Sequence, residues 1–150
     1  VVLDNIRSLN NIGSIFRTCD AFLVSKIYLC GITAQPPNRK INKTALGSTE
    51  SVEWEYFKST KKIIEKLKSK GVKIWSIEQV EKAKKLHEIE EIDKGIEHAV
   101  VFGNEIKGVS QEIIDISNNT IEIDQYGTKH SLNVTVAAGI VVWKFYNSLN

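Results

Sequence analysis

Apolar residues along the chain follow two rhythms. Short aliphatic or β-branched runs at Val1–Leu3, Lys26–Cys30, Val52–Phe57, Val72–Ile77, His98–Phe102 and Thr120–Ile123 predict strands. Between them, Ile12, Ile15, Phe16 and Cys19 recur at helical spacing and predict a helix from about Asn11 to Phe22. Ile63, Ile64 and Leu67 make one stripe opposite lysines over Thr60–Lys70, and Gly71 stops that helix. Ser110 is placed to cap a short helix over Gln111–Asp115. From Ser131 the chain is apolar to Leu149. Val134-Thr135-Val136 is β-branched, but Ala137, Ala138 and the length of the segment favour a buried helix.

Two stretches carry weaker patterns. Lys82–Glu91 is polar, with only Leu86 and Ile89 facing inward on a faint helical period. Thr33–Glu50 holds both prolines, Pro36 and Pro37, and reads as a long loop, which inside a compact domain is usually functional or disordered. Strands alternating with helices predict one α/β domain over residues 1–150, built on a mostly parallel sheet flanked by helices.

Composition changes this picture little. A chain of 150 residues, 42% hydrophobic and 25% charged, can bury a single core and is not wholesale disordered. The net charge of +2 is too small to announce a nucleic-acid binder, so any such surface must come from local clusters of Lys and Arg. Cys19 and Cys30 are expected to be a reduced pair. The longest apolar stretch, Leu132–Trp143, is broken by Asn133 and Thr135 and falls short of the ~20 residues a membrane span needs. Val1–Leu3 meets Asp4 at once and makes no secretory signal, so the expected location is cytoplasmic.

Several common chemistries fail on spacing. Gly103–Ser110 has the glycine separation of a phosphate loop, but Val109 stands where the lysine must be. No G-x-G-x-x-G follows the first strand, and no G-x-S-x-G elbow occurs. His87, His98 and His130 lack ligand partners at metal spacing, so no metal is expected and each histidine reads as solvated or satisfied in the core.

Three polar clusters remain, each after an apolar strand: Asn10-Asn11-Ile-Gly13-Ser14-Ile-Phe-Arg17, then Gly103-Asn104-Glu105 through Gly108, then Ile123 through Gly127 with Ser131-Leu132-Asn133. Taken singly, each reads as well as turn glycines and helix caps. Taken together and in order, they resemble the SpoU branch of the SPOUT superfamily, the ribose methyltransferases of tRNA and rRNA. Asn11 and Arg17 match its Asn-x5-Arg pattern, and Gly103, Glu105 and Gly108 match its Gly-x-Glu-x-x-Gly pattern. Ser131–Gly139 follows its Ser-Leu-Asn-Val-Ser-Val-Ala-Ala-Gly stretch with Thr135 for Ser, and Lys43-Thr44-Ala45 is also similar. One departure is Ile123-Asp124-Gln125, where the family usually has Ile-Pro-Met, which puts a charge beside the expected pocket.

The resemblance implies a deep C-terminal trefoil knot, a homodimer with composite active sites in which the apolar faces of the first and last helices are partly interface, and S-adenosylmethionine as methyl donor. Gly103, Ile123 and Leu132 would line the cofactor pocket. Arg17 would grip the phosphate next to the reacting ribose and stabilise developing alkoxide, with base action as its alternative role where RNA binding perturbs it. Asn11 and Glu105 would orient Arg17 and the backbone turns, while Ser131 and Asn133 would hydrogen-bond near the ribose. Arg7, Arg39, Lys40 and Lys43 would contact structured RNA, tRNA or rRNA, through its phosphates. The rival reading is a catalytically silent knotted RNA-binding dimer.

Overall fold

A computed structural model describes residues 1–150. Seven strands form one all-parallel sheet in the order β3-β2-β1-β6-β4-β7-β5. They are β1 (Val2–Asp4), β2 (Lys26–Cys30), β3 (Glu53–Phe57), β4 (Lys73–Ile77), β5 (Lys84–Lys85), β6 (His98–Phe102) and β7 (Asn119–Glu122). The central strands are buried on both faces, as a parallel sheet covered by helices requires.

Helices α1 (Leu9–Ala21), α2 (Arg39–Ala45), α3 (Ser48–Ser51) and α6 (Val134–Leu149) cover one face, where Leu3, Ile27, Leu29, Phe102 and Ile121 point. Helices α4 (Thr60–Ser69) and α5 (Gln111–Ile116) cover the other, over Val2, Ile74 and Val101. Alternate residues of one strand thus feed two cores, as the two-residue period dictates. Both cysteines are buried and unpaired, and burial pushes each thiol up to about 12, which leaves them inert. No helix is long and apolar enough to cross a membrane.

The structure corrects four expectations. Thr33–Glu50 is not one loop, because α2 lies within it and α3 begins within it. Asn38 caps α2 by accepting from Lys40 and Ile41 N–H at 2.9 and 3.3 Å, and Ile41 and Ala45, four apart, bury one face. Lys82–Glu91 holds the edge strand β5 and a 3₁₀ turn at Leu86–Glu88 rather than an α-helix, although Leu86 and Ile89 do point inward. Helix α6 is only half buried: Ala138, Val141, Val142 and Phe145 pack inward, while Val136, Ile140 and Trp143 are 49%, 37% and 55% exposed. Conversely, the apolar face of α1 is not an outer face, since Ile12, Ile15 and Phe16 are wholly buried within this chain.

Candidate active site

Strands β6, β4 and β7 are neighbours and all end at the same edge of the sheet, at Phe102, Ile77 and Glu122. A cavity of about 560 Å³ opens beyond those ends. That is where ligands lodge in open α/β sheets, and the volume suits a ligand of nucleoside size or larger.

One wall is the turn Gly103–Val109. Asn104 and Gly108 exchange main-chain hydrogen bonds at 3.1 and 2.8 Å, closing the turn. The Asn104 side chain accepts from Ile106 and Lys107 N–H and donates to the Asn5 carbonyl at 2.7 Å, tying the turn to the end of β1. A Cβ at Gly103 would collide with the backbone of Gly108 and Val109. Gly108 has φ +69°, and a side chain there would also strike the carboxylate of Glu78. Glu78, just past β4, accepts from Val109 N–H at 3.0 Å and from Gln79 N–H at 2.8 Å, so it pins the end of the turn to the neighbouring strand.

Glu105 projects from this turn to the start of α1. Its carboxylate accepts from the main-chain N–H of Arg7 and Ser8, each at 2.9 Å, and from the Asn11 amide at 3.1 Å. Ser8 caps α1 through its hydroxyl, which accepts from Asn11 N–H at 3.2 Å. Burial works against the charge on Glu105, but the hydrogen bonds from Ser8, Arg7 and Asn11 together outweigh it and hold the carboxyl below its ordinary range. The anion also suits the positive end of the helix dipole.

The opposite wall is the segment from Ile123 to Asn133, which contributes Ile123, Ser131 and Leu132 to the cavity. Asn133 ends it by capping α6, its Oδ1 accepting from Thr135 N–H at 2.8 Å. Ser131 lies outside the helix and exposed. Asp124 does not line the cavity. Its carboxylate turns to Lys85 at 2.8 Å and His87 at 3.0 Å, and the Lys85 hydrogen bond, ahead of the smaller opposing effect of burial, holds it below its ordinary range. Lys85 also pairs with Glu122.

The cavity therefore gathers Gly103, Glu105, Ile123, Ser131, Leu132 and Asn133, six of the expected site residues, with Asn11 joined to them through Glu105. Arg17 stands apart: it is exposed on α1, does not line the cavity, and is bonded to neither Asn11 nor Glu105. The expected orientation of Arg17 by that pair is thus absent, because the pair is spent on the start of α1. Arg7, Arg39, Lys40 and Lys43 are exposed, the last three on α2. Helix α2 is fixed to α1 partly by Thr44, whose hydroxyl donates to the Asn10 carbonyl at 2.9 Å. Glu78 was not singled out from sequence, and His130, read there as a solvated or core histidine, lines the cavity. A polar residue directly after a strand was the available signal for Glu78, but no glycine pattern accompanies it there.

The lining suits a ligand of nucleoside size: Ile77, Ile123 and Leu132 supply apolar surface, and the bare backbone of the glycine turn permits close approach.

Residues 1–143 match the family model described as the SpoU rRNA Methylase family. The tRNA (guanosine(18)-2'-O)-methyltransferase of Aquifex aeolicus is 34% identical over 151 residues, covering 96% of this chain and 66% of that protein. A solved A. aeolicus TrmH/SpoU tRNA modifying enzyme superposes with TM-score 0.85 at 30% identity, over 98% of this chain and 73% of that one. An AdoMet-bound rRNA methyltransferase from Sinorhizobium meliloti gives TM-score 0.89 at 26% identity, over 99% and 56%. The chain thus spans about two thirds of the curated A. aeolicus relative and little more than half of the S. meliloti enzyme.

Proposed function

The chain belongs to the SpoU rRNA methylase family, and from that premise we propose that it transfers a methyl group from S-adenosylmethionine to a ribose 2′-hydroxyl of tRNA or rRNA. The observation that carries this reading is the single cavity at the ends of β6, β4 and β7. It draws together residues from two motifs far apart in sequence, Gly103–Gly108 and Ile123–Asn133. The relatives' names and the cofactor in the S. meliloti structure favour the same chemistry.

In this reading Gly103, Ile123 and Leu132 hold the donor, and its contribution is an electrophilic methyl on a positively charged sulfur. Ser131 and Asn133, which line the same cavity, hydrogen-bond near the ribose. Arg17, a permanent cation, grips the phosphate beside the target nucleotide and steadies negative charge developing on the 2′-oxygen. Arg7, Arg39, Lys40 and Lys43 extend that contact along the RNA backbone. Holding the hydroxyl in line with the methyl group is the larger part of the task, since well-oriented reactants escape much of the entropic barrier.

The reading extends to architecture. Residues 1–150 act as one methyltransferase domain, and the segment from Ile123 into α6 is the threaded part of a trefoil knot. A second copy covers the exposed stripe of Leu132, Val136, Ile140 and Trp143, making a homodimer. That arrangement answers the separation of Arg17 from the cavity of its own chain, because the partner subunit's Arg17 can complete the site. The protein works in the cytoplasm, where such RNAs are processed.

Titration with S-adenosylhomocysteine in a calorimeter tests the reading, with Leu132→Trp as the blocked control. Micromolar binding that is weakened at least about tenfold, or 1.4 kcal/mol, in the variant is expected. An intact chain that binds nothing overturns the reading.

A further inference from the structure

Taking the reaction above as given, we propose that His130 is the group that accepts the proton from the ribose 2′-hydroxyl. The transfer must dispose of that proton, and few groups around the cavity can take it. A guanidinium, such as the one the partner subunit's Arg17 brings to the site, is a donor with no lone pair to take a proton. The carboxylates that line the cavity are already committed: Glu105 to the N–H groups of Arg7 and Ser8 and the Asn11 amide, Glu78 to those of Val109 and Gln79, and Glu122 to Lys85. Glu105, whose carboxyl those hydrogen bonds hold below its ordinary range, is a weak base.

His130 differs on each count. It lines the cavity directly before Ser131, Leu132 and Asn133, which line it too and to which the reading above gives the ribose and the donor. It is exposed, and its ring makes no hydrogen bond to the protein. The other two histidines are occupied, His98 between the Trp75 indole N–H and the Asp93 carbonyl and His87 with Asp124. An imidazole is the side chain that can be an unprotonated acceptor near neutral pH and shed the proton to water afterwards. The charged groups around the mouth are Glu78 beyond β4, Glu105 and Lys107 on the glycine turn, Glu122 on β7, and Lys129 next to His130 itself.

The step balances without another reactant. The 2′-oxygen forms its bond to the methyl carbon as the carbon–sulfur bond breaks, and the pair of electrons from that bond stays on sulfur. The hydroxyl proton passes to a ring nitrogen of His130, giving imidazolium, and then leaves to solvent.

The test uses the full chain with tritiated S-adenosylmethionine and bulk tRNA plus ribosomal RNA as acceptors, followed by nuclease digestion and nucleoside analysis. For His130→Ala and His130→Gln, kcat should fall about 100-fold, while S-adenosylhomocysteine affinity stays within about threefold. The parent should lose activity with falling pH in the neutral range where imidazoles titrate, and both variants should lack that limb. Added imidazole should restore part of the activity of His130→Ala, which a packing role would not allow. Activity of His130→Gln within about threefold of the parent, or an unchanged acid limb, overturns the role of His130 and leaves the methyltransferase reading intact. Absence of any 2′-O-methylated nucleoside from the intact chain overturns both.

Discussion

The two walls of the cavity are built by different means. The Gly103–Val109 turn is cross-linked along its whole length: Asn104 ties it to β1, Glu105 to α1, and Glu78 fixes its end to β4. The Ile123–Asn133 segment is anchored near its two ends, by the Asp124 charge cluster on one side and the Asn133 cap on the other, and Tyr126 to Leu132 are exposed between them. A wall with no freedom suits recognition of a ligand that never changes. A wall held at its ends leaves its side chains able to settle against an RNA of particular shape. The walls should therefore respond differently to damage: the first through cofactor affinity and stability together, the second through cofactor affinity at Ile123 and Leu132 and through turnover at the side chains that face the RNA.

The largest expected effect is at the tightest point of the rigid wall. Gly103→Val puts a branched side chain into the backbone of Gly108 and Val109, so the turn must open. S-adenosylhomocysteine binding should weaken by at least about 100-fold, near 2.7 kcal/mol, with the urea midpoint recorded alongside to separate a displaced turn from an unfolded chain. Unaltered affinity in a folded variant would break the comparison outright. Next in size is Glu105→Ala, which strips the start of α1 of an anionic acceptor. By analogy with loss of a helix cap, about 1 kcal/mol of stability should disappear in urea unfolding. The sign of its pH dependence follows from the lowered carboxyl of Glu105. Its contribution is present above the ordinary glutamate range and is lost as pH falls through the folded-state value. Glu105→Gln should accordingly show a shallower loss of stability on acidification below about pH 4.3.

Sequence periodicity reached the frame because apolar runs and stripes are local signals. It located all the longer strands and α1, α4 and α6 to within a few residues. It missed α2 because two prolines and three cations masked a seven-residue helix whose only buried positions are Ile41 and Ala45. It missed β5 because two lysines at a sheet edge carry no apolar alternation. The half-exposed state of α6 was equally out of reach, since Val136, Ile140 and Trp143 read as apolar whether they face a core or solvent. Six residues of the cavity were legible through the resemblance of their motifs. The bond of Glu105 to Ser8 and Asn11 was not, because it joins positions 97 and 94 apart in the chain. The resemblance implied that Asn11 orients Arg17 as well as the backbone turns, and the hydrogen bonding of Asn11 serves the turns alone.

The smallest effect should come from the one anchor of the loose wall that departs from the family pattern. Asp124 adds a negative charge beside the pocket, but the structure spends that charge on Lys85 and His87, outside the cavity lining. Asp124 is partly buried, but Lys85 and His87 reach solvent, and pairs open to water on one side contribute little and are screened by salt. Asp124→Asn should thus leave S-adenosylhomocysteine affinity within about threefold at physiological ionic strength, a difference of under about 0.7 kcal/mol in binding. Raising the salt should shrink the gap between parent and variant, because screening already weakens the pair in the parent. A loss of tenfold or more that persists in high salt would mean that Asp124 fixes the geometry of Ile123 rather than merely neutralising Lys85. The second wall would then be as rigid as the first, and the contrast between them would rest on exposure alone.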